Sequence, residues 1–132
     1  VPIDGAIVVT TPQDIALLDA RKGIEMFRRV EVPVLGIVEN MSTHICSSCG
    51  HEEAIFGAHG GEKIAHEYGT KLLAQLPLSL SIREQIDAGK PTLVSEPDAD
   101  VSQIFRNLAK QVVESVAVSG PSSGPRITVV ND

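Results

Sequence analysis

Aromatic and basic residues are both scarce in this sequence. Its 132 residues include three Phe, one Tyr and no Trp, and 11 Lys and Arg stand against 17 Asp and Glu, for a net charge of −6. Single-stranded nucleic-acid binders stack bases on aromatic side chains, and every nucleic-acid binder must offset the charge of a phosphate backbone. The basic residues form no cluster that would do so. We therefore expect no nucleic-acid partner.

Long apolar runs are absent as well. No stretch approaches the ~18–20 apolar residues of a membrane span, and the residues from Val1 to Asp4 lack the basic start and apolar middle of a secretory signal. The two cysteines are too few to staple a domain of this size with disulfides. These features predict a cytoplasmic protein with no membrane partner.

Two common phosphate-binding loops are also missing. Neither Gly-x-x-x-x-Gly-Lys-[Ser/Thr] nor Gly-x-Gly-x-x-Gly occurs, so the sequence is predicted to have no phosphate cradle of its own. No Ser, His and Asp can be assigned to a catalytic triad from their spacing. We assign no catalytic residue.

Strand-like and helix-like patterns alternate along the chain. The run at 5–10 shows no polar alternation, which is typical of a strand buried on both faces of a parallel sheet, and the runs at 34–38 and 72–76 predict two further strands. Helices are predicted from Pro12 to about Arg29, with Thr11 as the N-cap, and at 62–69, 81–88 and about 98–118. The predicted fold is α/β, a partial parallel sheet with flanking helices. Because no element precedes the first strand to cover its other edge, we expect part of a larger α/β domain whose open edge promotes association.

Two segments fall outside this alternation. Residues 40–61 show no apolar period and hold both cysteines and three of the four histidines, so a long, functional loop is predicted there. Residues 119–132 begin with the breaker-rich run Ser119-Gly-Pro-Ser-Ser-Gly-Pro125 and are predicted to be a linker and tail. Residues 1–118 make up the α/β unit.

The strongest chemical feature is His44-Ile-Cys46-Ser-Ser-Cys49-Gly-His51. Two thiolates three residues apart can grip one soft metal ion, and Gly50 permits the tight turn between them and the following chain. A tetrahedral site needs two more ligands. His44 and His51 could close a zinc site, the sulfurs could cycle as a disulfide, or a second chain could bring its own pair. Symmetry favours the third, because a two-fold axis beside the loop assembles the four thiolates that a [4Fe–4S] cluster requires.

Asn40 comes directly after the second predicted strand. Ligands of open parallel sheets bind beyond the carboxyl ends of the strands, and an amide there can both donate to and accept from a purine edge. Asn is also a common strand terminator, so both interpretations stay open. Thr11 and Pro77 end the other two runs at the same rim, where capping and strand breaking account for them without a ligand.

Several motifs occur in a recognisable order and spacing. They are Gly5-Ala-Ile-Val-Val-Thr-Thr-Pro-Gln13, Val32-Pro-Val-Leu-Gly-Ile-Val-Glu-Asn40-Met41, Cys46-x-x-Cys49-Gly and Ile55-Phe-Gly57. Together they closely resemble the Mrp (ApbC) family, iron–sulfur cluster carrier ATPases within the MinD/ParA-like branch of P-loop proteins. The resemblance runs from about Val1 to Val116 and does not extend to the family's N-terminal half.

The resemblance implies a site for each of two ligands. Cys46 and Cys49 would hold a [4Fe–4S] cluster that bridges a homodimer, and Asn40 would recognise adenine, with Pro77 and Leu78 lining the base pocket. The intact protein would bind ATP and Mg²⁺, hydrolyse ATP, and deliver clusters to apo iron–sulfur proteins. In the family the phosphates and Mg²⁺ are held by upstream residues that this sequence lacks. Residues 1–118 are therefore expected to be the C-terminal part of the ATPase domain, and alone neither to hydrolyse ATP nor to bind nucleotide tightly.

Two other functions stay open on the residues alone. One is a structural zinc-binding or assembly module that uses only the cysteine loop. The other is a thiol oxidoreductase built on the Cys46–Cys49 pair. A thioredoxin-like pair lies at a helix N-terminus, where the dipole lowers one thiol pKa, whereas no helical period follows Cys49.

Overall fold

The computed structural model describes residues 3–119 as a mixed four-stranded sheet with flanking helices. The predicted α/β class is confirmed. The elements, in chain order, are β1 (Ala6–Thr10), α1 (Asp14–Arg29), β2 (Val34–Ile45), β3 (Glu52–Glu53), α2 (Gly60–Glu67), β4 (Leu72–Leu78), α3 (Leu80–Asp87), α4 (Thr92–Ser95) and α5 (Asp100–Ser119).

β2 is the central strand of the sheet. It pairs in parallel with β1 on one side, where Val38 lies opposite Val9, and with β4 on the other, where Val38 lies opposite Ala74. Its last two residues pair antiparallel with β3, with His44 opposite Glu53. The parallel part agrees with the prediction, and the short β3 makes the sheet mixed. Because β1, β2 and β4 are parallel, their carboxyl ends meet at one edge.

Apolar side chains form two clusters on the sheet. In the cluster with α1 and α2, Ile24, Ile37 and Ile64 are almost completely buried. In the cluster with α5, Val38 and Leu73 are buried and the helix contributes Ile104, Leu108 and Val112. Successive residues of a strand point to opposite faces, so Ile37 and Val38 belong to different clusters.

β1 is not buried on both faces, contrary to the prediction. Val8 is buried, but Val9 is 62% exposed and Ile7, on the same face, is 37% exposed. α5 packs mainly over β4 and β2. That face of β1 therefore stays open in the described part of the chain.

α1 begins at Asp14, so the predicted start at Thr11 and Pro12 is wrong. Gln13 precedes the helix in an extended conformation, with φ −66° and ψ 137°, and makes no side-chain capping bond. The Thr11 hydroxyl donates to Oε1 of Gln13 at 3.2 Å instead of capping the helix. The helix ends at Arg29, as predicted.

The loop predicted at 40–61 is wrong in its first residues, because β2 continues to Ile45. Met41 adopts a left-handed conformation with φ 56°, and the pairing with β4 is irregular after Asn40 until it resumes with His44 opposite Leu78. This kink lets the strand continue through a polar stretch that shows no alternation. β4 likewise runs through Pro77, and within residues 3–119 it pairs only with β2, so that one side of the strand needs no N–H donor.

The later helices lie within two residues of their predicted bounds, and only the short α4 was not predicted. The predicted linker and tail at 119–132 lies outside the described residues, apart from Ser119 at the end of α5. Among residues 3–119, no helix combines the length and the apolar character that a bilayer span needs.

Candidate metal and nucleotide sites

Both cysteines lie at the tip of a short β-hairpin. Cys46 follows β2 directly, and the chain returns through a turn at Ser47–Cys49 and Gly50 to β3. The turn is closed by the Gly50 N–H, which donates to the Cys46 carbonyl at 2.9 Å, and by the Cys46 N–H, which donates to the His51 carbonyl at 3.0 Å. Gly50 has φ +70°, a conformation that suits glycine. Neither cysteine forms a disulfide; Cys46 is partly buried and Cys49 is exposed.

The backbone of this turn favours the thiolate of Cys46. Its sulfur accepts hydrogen bonds from the backbone N–H groups of Ser48 and Cys49 and from the Cys49 thiol, and these bonds lower the pKa of Cys46. Partial burial and the nearby carboxylate of Glu53 oppose the shift without cancelling it. Metals bind the thiolate form, so the turn favours the form of Cys46 that could serve as a ligand.

The hairpin does not complete a metal site within one chain. Among residues 3–119, no group of three or more His, Cys, Asp and Glu side chains is arranged to hold a metal ion. The zinc site considered for Cys46 and Cys49 with His44 and His51 is therefore not assembled. His44 lies instead beside Glu53, with Nδ1 3.7 Å from Oε1.

Asn40, Pro77 and Leu78 line one cleft of about 550 Å³ at the carboxyl edge of β2 and β4. Side chains of α3 and α5, including Ile82, Ile86, Val101 and Phe105, complete its walls together with the charged Arg83 and Asp87. The cleft is mostly apolar with a few polar groups, as is usual for small-molecule sites. Thr11, the third rim residue considered from the sequence, lines a second groove beside β1, and Asn40 lies between the two and lines both.

The amide of Asn40 has a fixed orientation. Its Oδ1 accepts a hydrogen bond from the N–H of Met41 at 2.9 Å, which leaves Nδ2 as the donor and one further acceptor position on Oδ1. This turn-forming bond is the local role expected of an Asn at a strand irregularity. It also defines which hydrogen-bonding groups of the amide are left for another partner.

Sequence reasoning missed Glu39, which is completely buried in β2 next to Asn40. Its carboxylate accepts hydrogen bonds from the Gly61 N–H, from Nε2 of Gln75 at 2.9 Å and from the Ser42 hydroxyl at 2.7 Å. Burial would raise the pKa of Glu39, but these bonds outweigh it and hold the pKa below its usual value. The signal in the sequence is a single acid that continues a buried apolar run.

Comparison with known proteins gives a consistent set of relatives. The family described as "ParA: NUBPL iron-transfer P-loop NTPase" matches residues 1–113. The chain is 66% identical over 112 residues to the iron-sulfur cluster carrier protein of Haemophilus influenzae, covering 85% of this chain and 30% of the relative. It is 49% identical over 119 residues to the mouse iron-sulfur cluster transfer protein NUBPL, covering 90% and 37%. The chain thus spans about a third of the length of these curated relatives.

Solved structures point to the same fold. A nucleotide-binding protein from Archaeoglobus fulgidus, in complex with ADP, is 30% identical with a TM-score of 0.60, covering 77% of this chain and 41% of that one. The septum site-determining protein MinD of Pyrococcus horikoshii, complexed with Mg-ADP, is 25% identical with a TM-score of 0.66, covering 89% and 44%. Because the family match includes residues 1–113 of 132, the chain belongs to the ParA/NUBPL family of P-loop NTPases, and its relatives include proteins named as iron–sulfur cluster carrier and transfer proteins.

Proposed function

We propose that this chain is the cluster-binding part of an iron–sulfur cluster carrier, in which Cys46 and Cys49 of two copies together hold one [4Fe–4S] cluster. The observation that carries the proposal is an exposed Cys-x-x-Cys turn with two thiols and, within residues 3–119, no third ligand. A [4Fe–4S] cluster takes four thiolates, so two copies related by a two-fold axis supply the full set. The names of the relatives support the same cargo.

The position of the cysteine turn suits an iron–sulfur cluster that is bound and later transferred. The thiols lie at the tip of a hairpin, where a second copy and later a recipient can approach. The lowered pKa of Cys46 favours the thiolate, which is the form that binds metal, before a cluster arrives. Apo iron–sulfur proteins are the proposed recipients, and the cytoplasm is the proposed location.

The cleft at Asn40, Pro77 and Leu78 is the proposed site for the adenine of ATP. The Nδ2 donor and the remaining acceptor position of Asn40 match the adjacent acceptor and donor on one edge of adenine. Pro77 and Leu78 provide apolar surface beside it. A phosphate loop and the Mg²⁺ site are proposed to lie in sequence outside this chain, since neither phosphate-loop pattern occurs within it. Hydrolysis of ATP is accordingly proposed only for the intact protein.

Anaerobic reconstitution with iron and sulfide tests the cluster proposal. We expect about four iron per dimer and a broad visible absorption that is lost in the Cys46→Ser variant. A colourless protein that retains about one zinc per chain would instead indicate a structural zinc module. Turnover of a disulfide substrate that depends on Cys46, without iron uptake, would indicate a thiol oxidoreductase. The chain continues from Cys49 into β3 rather than into a helix, which does not favour the last outcome.

A further inference from the structure

The cysteines belong to a segment, residues 43–60, whose two ends meet at one buried carboxylate. At the start of this cysteine segment, the Ser42 hydroxyl donates to Oε1 of Glu39 at 2.7 Å. At its end, the backbone N–H of Gly61 donates to Oε2 of the same side chain. Glu39 therefore fixes the chain just before and just after the segment that carries both thiols.

Each end needs such a partner for a physical reason. Ser42 follows the left-handed Met41, in the stretch where regular pairing between β2 and β4 is interrupted. Gly61 lies in the first turn of α2, where backbone N–H groups have no acceptor within the helix. A Cβ at Gly61 would lie 2.9 Å from Cβ of Glu39 and 3.1 Å from Oε2, so only glycine lets the helix approach this closely.

The same carboxylate touches the strands that form the cleft. It accepts from Nε2 of Gln75, which lies opposite Glu39 in the register of β2 and β4. Asn40 and Leu76, the next residues along these two strands, line the cleft. Glu39 thus lies where the cysteine segment and the cleft-forming strands join.

A carboxylate is a costly choice for this position. Glu39 is completely buried and, among the described residues, forms no ion pair that would offset the loss of hydration. An apolar side chain would fill the same space without that cost. What the carboxylate adds is three directed hydrogen bonds that specify where the segment ends lie.

We propose that Glu39 is a positioning residue, which ties the end of the cysteine segment at α2 to the start of that segment within β2 and to β4, and so sets how Cys46 and Cys49 are presented to a second copy. The part of this proposal that concerns the second copy rests on the proposed function. The positioning of the segment itself can be tested without any cluster.

The first measurement is amide hydrogen exchange, followed by NMR, on the metal-free protein. In Glu39→Gln a neutral amide replaces the carboxylate, and we expect the Gly61 amide to exchange about tenfold faster because charge-assisted bonds are roughly twice as strong as neutral ones. Amides of residues 43–60 should also exchange faster, while those of α1 and α5 stay unchanged. Glu67→Gln is the matched control, because Glu67 lies on α2, the helix that contains Gly61, but is exposed and bonded to Arg21. Uniformly faster exchange over the whole chain would show a merely structural role and overturn the proposal.

The second measurement is the rate at which the reconstituted cluster is lost to an iron chelator, read from the visible absorption. We expect at least tenfold faster loss in Glu39→Gln and no change in Glu67→Gln. The double variant Glu39→Gln/Gln75→Glu returns a carboxylate to the network from the opposite strand, and it should recover most of the wild-type rate. Equal rates in wild type and Glu39→Gln, with equal Gly61 exchange, would overturn the proposal. Failure of the wild type to take up a cluster would refute the proposed function alone, and the exchange data would still decide the role of Glu39.

Discussion

The contact between α2 and β2 can be tested by adding one methyl group at Gly61. The new Cβ would lie 2.9 Å from Cβ of Glu39 and 3.1 Å from Cδ1 of Leu72, both in a buried region. Overpacking of this kind costs roughly 1–3 kcal/mol. Alanine is favoured over glycine within helices by up to about 1 kcal/mol, and less at a first turn. We therefore expect Gly61→Ala to lower the free energy of unfolding by about 1–2 kcal/mol.

Gly23→Ala is the matched control for the same substitution. Gly23 lies in the middle of α1, and a Cβ built there meets no atom within 4 Å. Only the helix preference remains, so this variant should gain about 0.5–1 kcal/mol. Urea unfolding of the purified protein, followed by circular dichroism, measures both changes as shifts of the midpoint in opposite directions. Shifts of the same sign for the two variants would refute the packing assigned to α2 against Glu39.

Three further predictions concern the sites. The pKa of Glu39 is lowered in the folded state, so its carboxylate stabilises the fold fully above its unfolded pKa and progressively less as the pH falls through its folded pKa. The difference in urea midpoint between wild type and Glu39→Gln should therefore be constant above about pH 5 and become smaller in acid. A difference that becomes larger in acid would contradict this prediction. In the metal-free protein, the pH dependence of Cys46 alkylation should have its midpoint below the usual thiol pKa. Cys49→Ala should move this midpoint upward, because the Cys46 sulfur loses the hydrogen bond from the Cys49 thiol. An unchanged midpoint in Cys49→Ala would argue against that hydrogen bond. Asn40→Ala should weaken ADP binding to the intact protein about tenfold, as measured by calorimetry, whereas Asn107→Ala, at an exposed position of α5, should leave it unchanged.

Much of the fold could be predicted because its elements are defined by local patterns. The apolar runs at 5–10, 34–38 and 72–76 mark three strands, and the apolar stripe of α5 marks the final helix. The ends of helices and strands were less predictable where a side chain forms a hydrogen bond other than the one expected from the local sequence. Thr11 had the right chemistry for a helix cap, but its hydroxyl bonds to Gln13.

The extension of β2 could not be predicted from periodicity. Residues 39–45 are mostly polar, yet they continue the strand because Met41 takes a left-handed turn and the chain then pairs again with β4 and β3. The partners in that pairing come from distant parts of the sequence. A local pattern therefore indicated a loop where the tertiary structure makes a hairpin.

The candidate sites divide in the same way. The cysteine spacing is a local pattern, and it remains the best sequence signal for the candidate metal site. The family resemblance implied that Asn40, Pro77 and Leu78 share a cleft. The structure places these residues together, and their role in binding adenine stays a prediction. Glu39 was missed because its partners Gly61 and Gln75 are far away in sequence.

The cysteine hairpin and Glu39 together suggest how the proposed cluster could be both bound and released. β3 has only two residues, both exposed, and so short a pairing is weak on its own. We infer that the tip that holds Cys46 and Cys49 is the part of the hairpin that adjusts to the proposed second copy or recipient. The ends of the segment are fixed by a carboxylate that is completely buried. On the proposed function, adjustment at the tip would let the thiols exchange partners while the cleft at Asn40 keeps its shape.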